Sequence, residues 1–154
     1  IALCVNRFVL VNAEIPYGSM ENTIMTGDRV FGNRLAYIFG EPKRFDIIIF
    51  RYPDDEKQLF IKRIIGLPGE TVEIHDGQIF IDGSKTPLKD VTTKEFMQGS
   101  FGPYTVPDNC YFVMGDNRNN SKDSRYWEHT FVTDDEIVGK AFLRYWPLNK
   151  IKFL

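Results

Sequence analysis

The chain has 154 residues, with 19 Lys and Arg against 21 Asp and Glu, a formal net charge of -2. That length holds one well-buried core with room for a smaller elaboration, and the dispersed, nearly balanced charge excludes a nucleic-acid backbone as an expected partner. His75, His129, Cys4 and Cys110 are the only residues of their types, and their spacing fits neither a zinc site nor a disulfide framework, so no metal or other cofactor is expected and the thiols read as inert and buried.

Residues 1–12 are apolar but interrupted by Asn6, Arg7 and Asn12. They are too few and too polar to span a bilayer, which takes about 20 mostly apolar residues, and they lack the layout of a signal peptide. They read either as a first strand or as the cut end of something longer. Leu35–Gly40 fits a helical and a strand period equally.

Short runs rich in Val, Ile, Phe and Tyr, separated by Gly, Pro, Asn and Asp, give the pattern of an all-β protein. Asp46–Tyr52 and Leu59–Ile65 are expected to form a hairpin around the polar turn Pro53–Lys57. Val72–His75 and Gln78–Ile81 flank Asp76-Gly77, a dipeptide that accepts the positive φ angles of a two-residue hairpin turn. Residues 84–106 carry Gly and Pro turn formers among polar residues and are expected to form irregular, exposed ribbon. Val138–Trp146 has apolar residues on both parities, as in a strand covered on both faces. The sequence contains no internal repeat and no low-complexity linker.

Three segments carry candidate chemistry: Ile15–Met20, Ile61–Glu70 and Gly115–Arg125. Ser19 follows Pro-Tyr-Gly and lacks the G-x-S-x-G elbow of an α/β-hydrolase, so alone it is as well read as a turn residue. Lys62 alternates with Phe60 and Ile64 on one side of its expected strand and is flanked by Ile61. Poor solvation disfavours the ammonium form and lowers the pKa, as a lysine base near neutral pH requires; the competing reading is a charge that guards a strand edge.

Taken together, the Ser-Met segment at Ser19-Met20, the Lys62-Arg-Ile-Ile-Gly-Leu-Pro-Gly-Glu70 segment and the Gly115-Asp-Asn-Arg-Asn-Asn-Ser-Lys-Asp-Ser-Arg125 segment resemble the boxes of the bacterial type I signal peptidases. The resemblance extends through Gly27-Asp28 and Asp46–Phe50 to Arg144–Pro147, and covers most of the chain outside residues 71–108. It implies an antiparallel, barrel-like all-β fold with a catalytic core at 13–70 and 109–154. Residues 71–108 would be a smaller inserted β subdomain, and residues 1–12 the remnant of, or connector to, a membrane anchor.

By the same resemblance, Ser19 is the nucleophile of a serine endopeptidase and Lys62 its general base. Ser121 matches a serine that orients the lysine amine, Asp123 and Arg125 a supporting pair with Arg63 nearby, and Gly115 and Asp116 the residues that shape the turn. The implied substrates are signal peptides of exported preproteins, cut after a small-x-small motif at the extracytoplasmic face of the cell membrane and bound by strand addition. Ile15, Pro16, Tyr17, Met20, Ile24, Phe60 and Ile61 are the candidate substrate contacts, with plain core packing the alternative for the apolar ones. Phe31, Tyr37 and Phe39 are candidates for contact with the membrane surface.

The sequence departs from the family's pattern at three positions. Tyr17 stands where many members have a serine that helps stabilise the oxyanion, Asn22 where proline is common, and Phe45 where glycine often precedes Asp46. These departures keep a second reading in view, a catalytically weak or silent module of the same fold that binds extended peptides. The related self-cleaving serine–lysine repressor domains would need a cleavable segment and an upstream DNA-binding helix pair, for which the sequence offers no counterpart.

Overall fold

A computed structural model describes residues 9–90, 92–93 and 95–154. Its eleven strands are β1 (Leu10–Glu14), β2 (Arg29–Asn33), β3 (Ile47–Tyr52), β4 (Asp55–Gly66), β5 (Thr71–His75), β6 (Gln78–Ile81), β7 (Phe101–Thr105), β8 (Cys110–Met114), β9 (Val132–Thr133), β10 (Ile137–Trp146) and β11 (Lys152–Phe153). Among the described residues the helical pieces are four 3-10 turns, at Gly18–Met20, Arg118–Asn120, Asp134–Glu136 and Leu148–Lys150. The larger sheet runs β1-β2-β10-β3-β4-β8-β9, with β11 on β10, and the smaller runs β6-β5-β7. Every recorded pairing is antiparallel.

The continuous apolar run of β3 follows from burial of both its faces. Ile47 and Ile49 enter a cluster with Val11, Ile15, Met20, Ile24, Val30 and Ile61. Ile48, Phe50 and Tyr52, on the opposite parity, pack with Ile64, Tyr111, Val113, Trp127 and Val132. The expected hairpin forms between β3 and β4 with Ile48 opposite Lys62, although β4 begins earlier than the sequence pattern suggests because Asp55 already pairs with Tyr52. The second hairpin joins β5 to β6 through Asp76 (φ 47°) and Gly77 (φ 77°).

Residues 84–106 are less irregular than expected. Phe101–Thr105 pairs with β5, and Met97 and Val106 are buried with Val72, Ile74 and Ile79. The same cluster includes Ile65 of β4 and Phe112 and Met114 of β8, so the small sheet shares apolar packing with strands of the large one. Strand β10 is only half covered: Gly139 and Ala141 are buried, whereas its outer end at Trp146 is exposed. Leu35–Gly40 forms turns and bends.

Two of the three aromatics assigned to a membrane surface are engaged within the protein. Phe31 stacks on Tyr145 with ring centroids 4.2 Å apart, and Tyr37 is half-buried with its hydroxyl donating to Asp46 at 2.9 Å. Phe39 alone is open, 85% exposed. Of the two cysteines, Cys110 is partly exposed rather than buried, and Cys4 lies outside the described residues. Among the described residues, no helix is long and apolar enough to cross a membrane, and no group of three His, Cys, Asp or Glu side chains is placed to hold a metal ion.

Candidate active site

Ser19 lies in the Gly18–Met20 turn, just after β1. Two hydrogen bonds from a distant part of the chain hold this turn: the Asn117 amide donates to the Ser19 carbonyl at 3.0 Å, and Asn117 Nδ2 donates to the Gly18 carbonyl at 3.0 Å. Lys62 comes from the middle of β4 and is 4% exposed. Its Nζ donates to Ser19 Oγ at 2.6 Å and lies 5.2 Å from the centroid of the Phe60 ring. Burial is the largest influence on the amine and brings its pKa down to about 8, against the opposing pull of Asp123 and Asp116.

Each of those carboxylates is held by its own guanidinium. Arg63 Nε and Nη2 donate to the two oxygens of Asp116 at 2.8 and 2.6 Å, and Thr23 Oγ1 adds a bond of 2.5 Å. Arg125 Nε and Nη2 donate to the two oxygens of Asp123 at 2.8 Å each. Both pairs have the two-pronged geometry of the strong arginine–carboxylate bond. Removing either partner would leave an uncompensated charge in a dry site.

Gly115 packs closely between the Ser19 turn and Ser121. A Cβ there would fall 2.3 Å from the Ser19 carbonyl oxygen and 2.2 Å from Ser121 Oγ, so only glycine fits without displacement. The Gly115 amide donates to Asp123 Oδ2 at 3.0 Å. Ser121 donates to the same oxygen at 2.7 Å and makes no hydrogen bond to Lys62 among the described residues. This differs from its expected contact with the amine: the Ser121 hydroxyl is turned to Asp123, and the Lys62 amine donates to Ser19 Oγ. Ser121 therefore bears on the lysine through Asp123.

Ser19 and Lys62 open onto a cleft of about 710 Å³ lined by residues 12–19 on one side and 58–62 on the other, with Ile49, Tyr52, Asn120 and Lys122 completing it. Ile15, Pro16, Tyr17, Phe60 and Ile61 all line it. Met20 and Ile24 do not; both are fully buried in the β3 core cluster, where the apolar character that suggested a pocket wall serves packing. Tyr52 was not singled out in the sequence, yet it stacks on Phe60 with centroids 4.3 Å apart and planes within 5°. His75 and His129 pair instead with Glu73 and Asp54.

Comparison with known proteins agrees with this arrangement. The family model described as "Signal peptidase, peptidase S26" matches residues 1–146. The chain belongs to this family. It is 36% identical over its whole length to a probable signal peptidase I-2 of Synechocystis, covering 71% of that protein. It is 39% identical to a signal peptidase I of Leptolyngbya laminosa, with 98% of this chain and 76% of that one aligned. Among solved structures, a signal peptidase I from Enterococcus faecalis superposes with a TM-score of 0.56 at 37% identity, covering 66% of this chain and 97% of that one. The protein is thus a serine peptidase of the type I signal peptidase class, on a mostly antiparallel β fold.

Proposed function

We propose that the chain removes signal peptides from exported preproteins, cutting after a small-x-small motif with Ser19 as nucleophile and Lys62 as general base. The observation that carries this reading is the 2.6 Å contact between Ser19 Oγ and a buried lysine amine whose pKa is about 8. A neutral Lys62 takes the hydroxyl proton as Ser19 Oγ attacks the scissile carbonyl, then returns it to the leaving amine. The resulting acyl-enzyme is cleared by a water that the same amine activates. Arg125 and Arg63 hold Asp123 and Asp116, and Ser121 and Gly115 anchor to Asp123, as supports for the two reacting side chains.

Substrate binding follows from strand edges. Among the described residues, strand β1 pairs only with β2 and β4 pairs with β8 only from Arg63 onward, which leaves cleft-side backbone groups of both strands available to an extended peptide. Ile15, Ile49 and Ile61 present apolar wall to its side chains. Work at the extracytoplasmic membrane surface draws support from exposed Leu148, Ile151 and Phe153 interleaved with Lys150 and Lys152.

The test is cleavage of a preprotein with a small-x-small site by wild type, Ser19→Ala and Lys62→Ala, with the product N-terminus identified. Both variants should be inactive. Wild-type-like cleavage by either one overturns the mechanism, and binding without cleavage by the wild type favours the silent peptide-binding module.

A further inference from the structure

Arg118 opens the 3-10 turn between Gly115 and Ser121, and its side chain is 2% exposed. A guanidinium so buried needs a counter-charge and acceptors for its N–H groups. It finds them largely outside its own segment. Nη1 pairs with Asp90 Oδ2 at 2.5 Å, and Nη2 donates to Thr92 Oγ1 at 3.2 Å. Thr92 in turn donates to Asp90 Oδ1 from its amide at 3.0 Å and from its hydroxyl at 2.6 Å. The next residue of the turn repeats the attachment: Asn119 Oδ1 accepts from the Gln98 amide at 2.9 Å, and its Nδ2 donates to the Phe96 carbonyl at 3.0 Å.

On its other side, Arg118 meets the site. Its Nε donates to the Gly115 carbonyl at 2.9 Å, and its own carbonyl accepts from Arg125 Nη2 at 2.8 Å. The Gly115 residue is therefore pinned at both polar groups, its amide by Asp123 and its carbonyl by Arg118. Burial alone would raise the Asp90 pKa, but the Arg118 guanidinium and the Thr92 bonds outweigh it and hold the carboxyl below its ordinary range.

We propose that Asp90 is a positioning residue for the Ser19–Lys62 chemistry: by anchoring Arg118, it fixes Gly115, against which the Ser19 carbonyl rests. The inference rests on the mechanism above. Asp90 lines no part of the cleft, so its loss should act on the reaction step rather than on binding. A small displacement of a reacting group by a distant lesion can cost about 10²-fold in rate.

The experiment measures kcat and KM for a signal-peptide substrate with wild type, Asp90→Asn, Arg118→Gln, the double variant and Ser19→Ala, with a thermal melt of each. Asp90→Asn should lower kcat by about tenfold or more and leave KM within about twofold. The double variant should be no slower than Arg118→Gln, since both lesions break one connection. An unchanged kcat, a change confined to KM, or losses that add in full would overturn the proposal. If Asp90→Asn yields no folded protein, Thr92→Val is the milder lesion, and an unchanged kcat there would overturn it equally. Activity in Ser19→Ala would sink the nucleophile assignment whatever Asp90 does, whereas an inactive Ser19→Ala beside a normal Asp90→Asn sinks only this inference.

Discussion

Lys62 Nζ lies 2.6 Å from Ser19 Oγ, while Asp116 and Asp123, the two carboxylates that would keep the amine protonated, are each clasped by an arginine. That division of charge explains why burial wins at Lys62. A carboxylate already paired with a guanidinium attracts a nearby ammonium less than a free one would. The arginines thus serve the base without touching it.

The pH dependence follows directly. Only the neutral amine can accept the Ser19 proton, so kcat/KM should level above about pH 8, the pKa of Lys62, and fall by about tenfold per unit below it. A pH–rate profile of the wild type checks this. A limb near the ordinary histidine range would point away from Lys62.

The same lowered pKa has a cost in stability. Between about 8 in the folded state and the ordinary lysine value of 10.5, the unfolded chain binds more protons, so stability rises with pH across that window. Below it, the full penalty is present. Lys62→Met should therefore be more stable than wild type at pH 7, by up to roughly 3 kcal/mol, as measured by urea unfolding.

Gly115→Ala should separate stability from activity. The added methyl must push on the Ser19 carbonyl and the Ser121 hydroxyl, and overpacking of this kind costs about 1–3 kcal/mol. The reacting geometry suffers more: kcat should fall by about 10²-fold in a protein that still melts cooperatively.

Tyr17 is 69% exposed at the entry to the Ser19 turn. Restoring the family's common residue with Tyr17→Ser supplies a short hydroxyl beside the Ser19 backbone amide, and one such donor to an oxyanion contributes about 10²–10³ in rate. An increase in kcat is expected, measured on the same peptide. No increase would mean that another group already serves the oxyanion.

Asn22 has φ at 94°, far from the value near −65° that a proline ring imposes. Asn22→Pro should destabilise the protein, although the family resemblance makes proline the expected residue there, whereas Asn22→Gly should melt within a few degrees of wild type. Parallel thermal melts distinguish the two.

How much of this was legible in the sequence differs from residue to residue. The β3–β4 hairpin and the poor solvation of Lys62 could be read because alternation along a strand decides which side chains are buried. Asp76-Gly77 was legible because its turn demands backbone angles that few residue pairs adopt. Ser19 had no local signature, since what marks it is the approach of β4 from the other side of the fold. Met20 and Ile24 were misplaced for the converse reason: an apolar side chain near the nucleophile looks the same in sequence whether it faces a cleft or a core.

Other features depend on geometry that no spacing encodes. Asn117 anchors the Ser19 turn through a contact between segments far apart in the chain, and the Asp90–Arg118 pair crosses between the two sheets' segments. Phe45, at a position where the family resemblance makes glycine the expected residue, has φ at 71°. This conformation costs a side chain about 1–2 kcal/mol; here Phe45 also packs on the cluster around Ile65.

The free edges of β1 and β4 have a consequence for solubility. An unpaired strand edge is a template for another chain's sheet and hence for aggregation. Here residues of β1 and of the first part of β4 line the same cleft as Ser19 and Lys62, so the backbone groups that the proposed substrate would use are also those most exposed to pairing with another chain. Occupancy of that cleft by an extended peptide would therefore both serve the reaction and cover the edges against self-association.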